Sequence, residues 1–144
     1  MRSDTKTTTL TRKSPSAIQM GLKLMVQPNT RVLLLEDNAV LAESIAFALG
    51  TFDLEVVGPF ETNELSGLEL TREHMQVGVL DLELAAGTSI PTAVRLREAG
   101  IPFLFMSGHD IAAELPEEFQ NEICLPKPVP ADVLFEAIME LCES

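Results

Sequence analysis

Glu36 and Asp37 close the apolar run Arg31–Leu35, and Asp81 closes Val77–Leu80. Ser107 follows Pro102–Met106, and Lys127 follows Ile123–Leu125 between Pro126 and Pro128. If these runs lie side by side, three carboxylates, a hydroxyl and an ammonium converge on one edge. Like charges so close cannot all stay ionised unaided: either a pKa rises or a cation binds. Carboxylate oxygens with water filling the remaining positions suit Mg²⁺. A carboxylate can also attack a phosphoryl group to give an aspartyl phosphate. Mg²⁺, Lys127 and Ser107 could then each hold one phosphoryl oxygen, which is most of what phosphoryl transfer requires.

The elements that must position these groups alternate along the chain. Arg31–Leu35 reads as a strand buried on both faces. Val40, Leu41, Ile45, Ala48, Leu49 and Phe52 follow at helical spacing. Leu54–Val57 reads as a second strand, closed by Gly58-Pro59, and Thr62–Arg72 as a weaker helix carrying Gly67. Val77–Leu80 is the third strand. A loop with Gly87 leads to a helix near Ser89–Ala99, stopped by Gly100. Pro102–Met106 is the fourth strand, His109–Gln120 is irregular around Pro116, Ile123–Leu125 is the fifth strand, and Pro130–Leu141 is the last helix. Five strands alternating with about five helices predict an α/β fold, a doubly wound five-stranded parallel sheet. Ligands of such sheets sit beyond the carboxyl ends of the strands, where the acids and the lysine stand.

The chain has 144 residues, 46% of them hydrophobic, enough for one domain with a packed core. Residues 1–30 carry five Lys/Arg and one acid, whereas residues 31–144 carry five Lys/Arg and 21 acids. The division predicts a basic leader, disordered or a non-native extension with at most a short helix near Ala17–Val26, followed by a folded domain over 31–144. A body this acidic repels phosphate backbones, so no nucleic-acid partner is expected. No apolar run approaches the ~20 residues of a membrane span, so no membrane role is expected. Two cysteines, Cys124 and Cys142, make no disulfide framework or zinc pattern, and a cytoplasmic setting is the simplest expectation. Cys124 reads as a small buried hydrophobe; His74 reads as a surface residue.

Four motifs carry a resemblance in their order along the chain. The acid pair in LLLEDN, the acid in VLDLEL, the hydroxyl in FLFMSG and the lysine in LPKPV together resemble the receiver domain of two-component response regulators, the CheY-like family, over about Arg31–Leu141. The resemblance implies a flavodoxin-like fold with Asp81 as phosphoacceptor. It implies that Asp37 binds Mg²⁺ directly, Glu36 binds it through water, Asp81 shares it, and Glu83 offers its backbone carbonyl. Ser107 and Lys127 take phosphoryl oxygens, and the Lys127–Pro128 bond is cis. PFLFMSGH and GTSIPTAV are similar to a smaller group, the single-domain FAT GUY receivers of alphaproteobacteria, which implies a sensor histidine kinase of HWE/HisKA2 type or a phosphotransfer protein as partner. A homodimer stays open.

There are departures from that pattern. Cys124 stands where the family keeps its switch aromatic, His109 and Ser107 replace a Tyr and a Thr of the smaller group, and Pro116 interrupts the fourth helix. The expected function is a stand-alone phosphoacceptor that signals by protein contact rather than an enzyme with turnover. The alternative is a phosphorylation-independent adaptor on the same fold. A Mg²⁺-dependent phosphatase is a third reading, because Glu83 stands two residues past Asp81.

Overall fold

The computed structural model describes residues 29–108 and 115–143. The expected leader with its short helix, and His109, lie outside them. The chain runs through β1 (Arg31–Leu35), α1 (Ala39–Thr51), β2 (Glu55–Phe60), β3 (Val77–Asp81), β4 (Glu83–Leu84), β5 (Gly87–Thr88), α2 (Ile90–Glu98), β6 (Phe103–Ser107), β7 (Cys124–Pro126) and α3 (Ala131–Glu143). Five strands form one sheet in the order β2-β1-β3-β6-β7, and every pairing in it is parallel. This is the flavodoxin-like arrangement, in which the strand order reverses beside β1 and β3.

Both faces of the sheet are covered, as the continuous apolar strands require. Val32, Leu34, Val79, Leu104 and Met106 face Ile45 and Leu49 of α1 and Leu134 and Ile138 of α3. Leu33, Leu35, Leu80, Phe103 and Phe105 face Ala93 and Leu96 of α2 together with Leu65 and Phe119. Phe52, just past α1, stacks on Phe135 of α3 with ring centroids 4.2 Å apart. Such a pair adds about 0.5–1.5 kcal/mol beyond area burial. Asn38 caps α1 by accepting the Leu41 N–H at 3.0 Å, which satisfies one of the unpaired donors of the first turn.

Several expectations need correction. The second strand does not stop at Gly58-Pro59 but runs to Phe60 through a cis bond. A proline is tolerated there because β2 is an edge strand. Three residues of β2 span the two steps from Leu33 to Leu35, a bulge absorbed by Gly58 at φ 110°. Thr62–Arg72 is not an α-helix: only a single 3₁₀ turn forms at Leu65–Gly67. Leu65, Ser66 and Gly67 all have positive φ, which no right-handed helix accommodates. The described residues therefore hold three α-helices rather than about five. Val40, part of the predicted apolar spacing of the first helix, is 80% exposed, as Phe47 is at 77%. Cys124 is half-buried, not buried; His74 is exposed as expected. The stretch after Asp81 is not plain loop but the antiparallel pair β4–β5. Pro116 precedes a 3₁₀ turn at Glu117–Phe119, in keeping with an irregular segment. Among the described residues, no helix is long and apolar enough to cross a membrane.

Candidate functional site

Parallel register brings the strand ends together. Leu35 pairs with Leu80, so Glu36 and Asp81 leave the sheet side by side. Asp81 pairs with Met106, which puts Ser107 one step further on, and Ser107 pairs with Pro126. The Lys127 N–H donates to the Ser107 carbonyl at 2.8 Å, and the cis Lys127–Pro128 bond is present as expected. Glu36, Asp81 and Ser107 are each at most 2% exposed, while Asp37 is half-buried.

The charges interlock. Lys127 Nζ lies 3.1 Å from Asp81 Oδ2 and 3.2 Å from Glu36 Oε1. Glu36 Oε2 accepts the Asn38 N–H at 3.0 Å. Asp81 Oδ1 accepts the Glu83 N–H at 3.2 Å, and Asp37 Oδ2 accepts the Ala85 N–H at 2.6 Å. Burial, then the Glu36 charge, push the Asp81 carboxyl up to about 6, although Lys127 pulls the other way. Burial acts to lower the Lys127 pKa, but its bonds and charge attraction to Asp81, then Glu36, hold it above the ordinary lysine value.

This donor set fits a hard divalent cation. Glu36, Asp37 and Asp81 each offer one carboxylate oxygen, all within 4.8 Å of one another. Ligands on opposite sides of an octahedral Mg²⁺ stand about 4.2 Å apart, so the cluster is close to the right size. A lysine between two of the three acids leaves net negative charge, and the Glu36 charge adds to burial in raising the Asp81 pKa.

Solved structures with this arrangement of strands and helices include receiver domains of response regulators. The response regulator PhyR from Brucella abortus superposes with a TM-score of 0.67 at 22% identity, covering 88% of this chain and 53% of that one. The receiver domain of HemR from Leptospira biflexa gives 0.66 at 20% identity, covering 81% and 96%. SdrG from Sphingomonas melonis Fr1 gives 0.63 at 25% identity, covering 80% and 98%. The chain has the receiver-domain fold. It spans about half the length of PhyR, one of the response regulators it matches, and essentially all of SdrG. No family model matches the sequence, and no curated protein does.

The fold brings the acids and the lysine together. Cys124 pairs in register with Phe105. Aromatic bulk on that face comes instead from Phe119, whose ring centroid is 6.1 Å from that of Phe105 at 85°. Arg97 of α2 covers Phe119 at 4.2 Å and donates to Glu122 at 2.5 Å, tying α2 to the segment before β7.

Two parts of the site were missed in the sequence. The β4–β5 pair supplies backbone N–H groups to both Asp81 and Asp37, and Asn63 bonds to it from the segment after β2. Gly87 was the only visible signal for the pair. The turn between its strands, Ala85-Ala86, lacks the Asn-Gly or Asp-Gly chemistry that marks a hairpin. Nothing in the residues around Asn63 marks it.

Proposed function

We propose that this chain is a receiver that accepts a phosphoryl group on Asp81 from a histidine kinase or phosphotransfer protein and signals by protein contact. The observation that carries the reading is Asp81 itself, buried at a strand end, paired to Lys127 at 3.1 Å and clustered with Glu36 and Asp37. Structures bearing this fold include a response regulator and a receiver domain, which supports the reading.

In the reaction an Asp81 oxygen forms the new P–O bond while the P–N bond of a phosphohistidine breaks and its electron pair returns to the imidazole. Lys127 neutralises charge on one phosphoryl oxygen, and the Ser107 hydroxyl donates to another. Asp37 and Asp81 would hold Mg²⁺, Glu36 would bind it through water, and the Glu83 backbone carbonyl would be a further ligand; the cation would neutralise phosphoryl charge. The Glu83 N–H on Asp81 Oδ1 fixes the rotation of the carboxylate before transfer. A phosphoryl group adds about −1.5 to −2 charge. It draws Ser107 toward itself, so the segment 115–127 and α3 form the partner face. The partner's kinase class is the HWE/HisKA2 type, and a cytoplasmic location goes with it.

Beryllofluoride mimics the phosphoryl group on a carboxylate. With Mg²⁺ it should bind the protein and alter hydrogen exchange across residues 115–127, and Asp81→Asn should abolish both effects. Binding unaffected by Asp81→Asn contradicts the assignment. Binding without any change in exchange contradicts the partner face.

A further inference from the structure

The β4–β5 hairpin is tied to the site at one end and to Asn63 at the other. Its ladder is two residues long on each side, Glu83 opposite Thr88 and Leu84 opposite Gly87. A two-stranded hairpin is marginal alone in water, and this one buries little: Leu84 is half-buried, while residues 85–88 are exposed. The residues flanking it secure its base, with Leu82 N–H to Met106 O at 2.8 Å and Ser89 N–H to Leu82 O at 3.1 Å. At the same base, Asn63 reaches across from the segment after β2, and its Nδ2 donates to the Thr88 carbonyl at 2.9 Å.

Asn63 is itself held from two sides. The fully buried Thr92 hydroxyl donates to Asn63 Oδ1 at 2.6 Å. Arg95 Nη1 donates to the Asn63 carbonyl at 3.1 Å. The Thr88 carbonyl can only accept, which leaves the Asn63 amide one orientation: Nδ2 faces the hairpin and Oδ1 faces the Thr92 hydroxyl of α2. At the far side of the hairpin turn, the Ala85 N–H holds Asp37 Oδ2 at 2.6 Å. A bond of that length to a carboxylate is charge-assisted and directional. It sets the rotation of the Asp37 carboxylate, one of whose oxygens lies within 4.8 Å of an oxygen of Glu36 and of Asp81.

We infer that Asn63 is a positioning residue for the cation site: through Thr88 and the Ala85 N–H it fixes the rotation of the Asp37 carboxylate beside Glu36 and Asp81. The inference rests on the proposed function for its cation and on the hydrogen bonds above for its route. Groups that orient a metal ligand typically change affinity by about 10–100-fold when removed. Asn63 acts one step further out, so the low end of that range applies.

The test uses the full chain with Mg²⁺ alone as the probe, in wild type, Asn63→Ala, Asn63→Asp and Thr92→Val. Calorimetric titration gives the Mg²⁺ affinity. Hydrogen exchange of the Ala85 amide in metal-free protein reports the hairpin directly, and a urea midpoint reports global stability. Asn63→Ala should weaken Mg²⁺ binding roughly 10-fold and speed Ala85 exchange, while the Leu96 amide stays protected. Asn63→Asp keeps the acceptor for Thr92 but loses the donor to Thr88, so it should fail to restore either property. Thr92→Val, which keeps that donor, should have the smaller effect on both. Unchanged Ala85 exchange in Asn63→Ala overturns the inference. So does full rescue by Asn63→Asp, or an affinity loss that tracks the urea midpoint across all variants. If wild type binds no Mg²⁺, the cation reading in the proposed function fails. In that case the Ala85 exchange arm still decides whether Asn63 holds the hairpin.

Discussion

Lys127 and Asp81 meet 3.1 Å apart at the ends of two strands that are not neighbours, with β6 between them. The same ammonium lies 3.2 Å from Glu36, so one cation serves two buried acids. That imbalance sets the chemistry of the site and gives it measurable consequences.

The first consequence is a pH-dependent cost of the acceptor. A carboxyl raised from 3.8 to about 6 binds its proton better in the folded chain than in the unfolded one. Its contribution to stability therefore falls as pH climbs from about 4 to about 6 and is level above that. Without metal, Asp81→Asn should stabilise the protein by about 1–3 kcal/mol at pH 7.5, and the gain should vanish near pH 4. Urea unfolding of both proteins across that range checks the sign. A difference that does not change with pH would show that Asp81 is not strained by its neighbours.

Removing the shared cation should act in the opposite direction. Lys127→Met leaves Glu36 and Asp81 buried without a countercharge. Breaking a buried pair in this way costs about 3–5 kcal/mol, and the lower end is expected because Lys127 is itself 20% exposed. The loss at pH 7.5 should shrink at pH 5, where Asp81 takes up a proton. Equal losses at both pH values would contradict the coupling.

A cation that binds the folded acids should restore what they cost. Mg²⁺ at 100 times its dissociation constant should raise the unfolding free energy by about 2.7 kcal/mol. Asp37→Asn and Glu36→Gln should each reduce that gain, and Ca²⁺ can serve as a size comparison. Unfolding curves with and without Mg²⁺ that overlay would argue against a metal site.

Packing under α2 admits a prediction independent of the site. A Cβ built on Gly78 of β3 would come within 2.7 Å of Leu96 Cδ1 and 3.3 Å of Phe103 Cβ. Leu96 is fully buried and cannot swing clear. Gly78→Ala should cost about 1–3 kcal/mol in urea unfolding, whereas Gly50→Ala, with open space around it on α1, should not.

Much of this was legible in the sequence because the strands are buried on both faces. Runs such as RVLLL and FLFMS leave few alternatives, and the polar residue ending each run had to fall at one sheet edge. Lys127 and the cis bond after it followed from the resemblance carried by LPKPV. Other parts were hidden for physical reasons. Thr62–Arg72 has helical composition, yet Leu65, Ser66 and Gly67 take positive φ to bury Leu65 and bring Asn63 to Thr88 and Thr92. Those tertiary bonds outweigh local propensity. Pro59 looked like a terminator, but β2 lies at the sheet edge, where the missing N–H costs nothing. Backbone donors such as Ala85 N–H leave no trace in residue identity, so the grip on Asp37 appears only in the structure.

The central claim is that Asp81 accepts a phosphoryl group with the help of Mg²⁺. Intact mass after incubation with a small phosphodonor and Mg²⁺ tests it most directly, beside Asp81→Asn and metal-free controls. One added phosphoryl group is expected on the wild type and none on either control. An unmodified wild type that also fails to accept from a phosphorylated histidine kinase, or a modification that persists in Asp81→Asn, would contradict it.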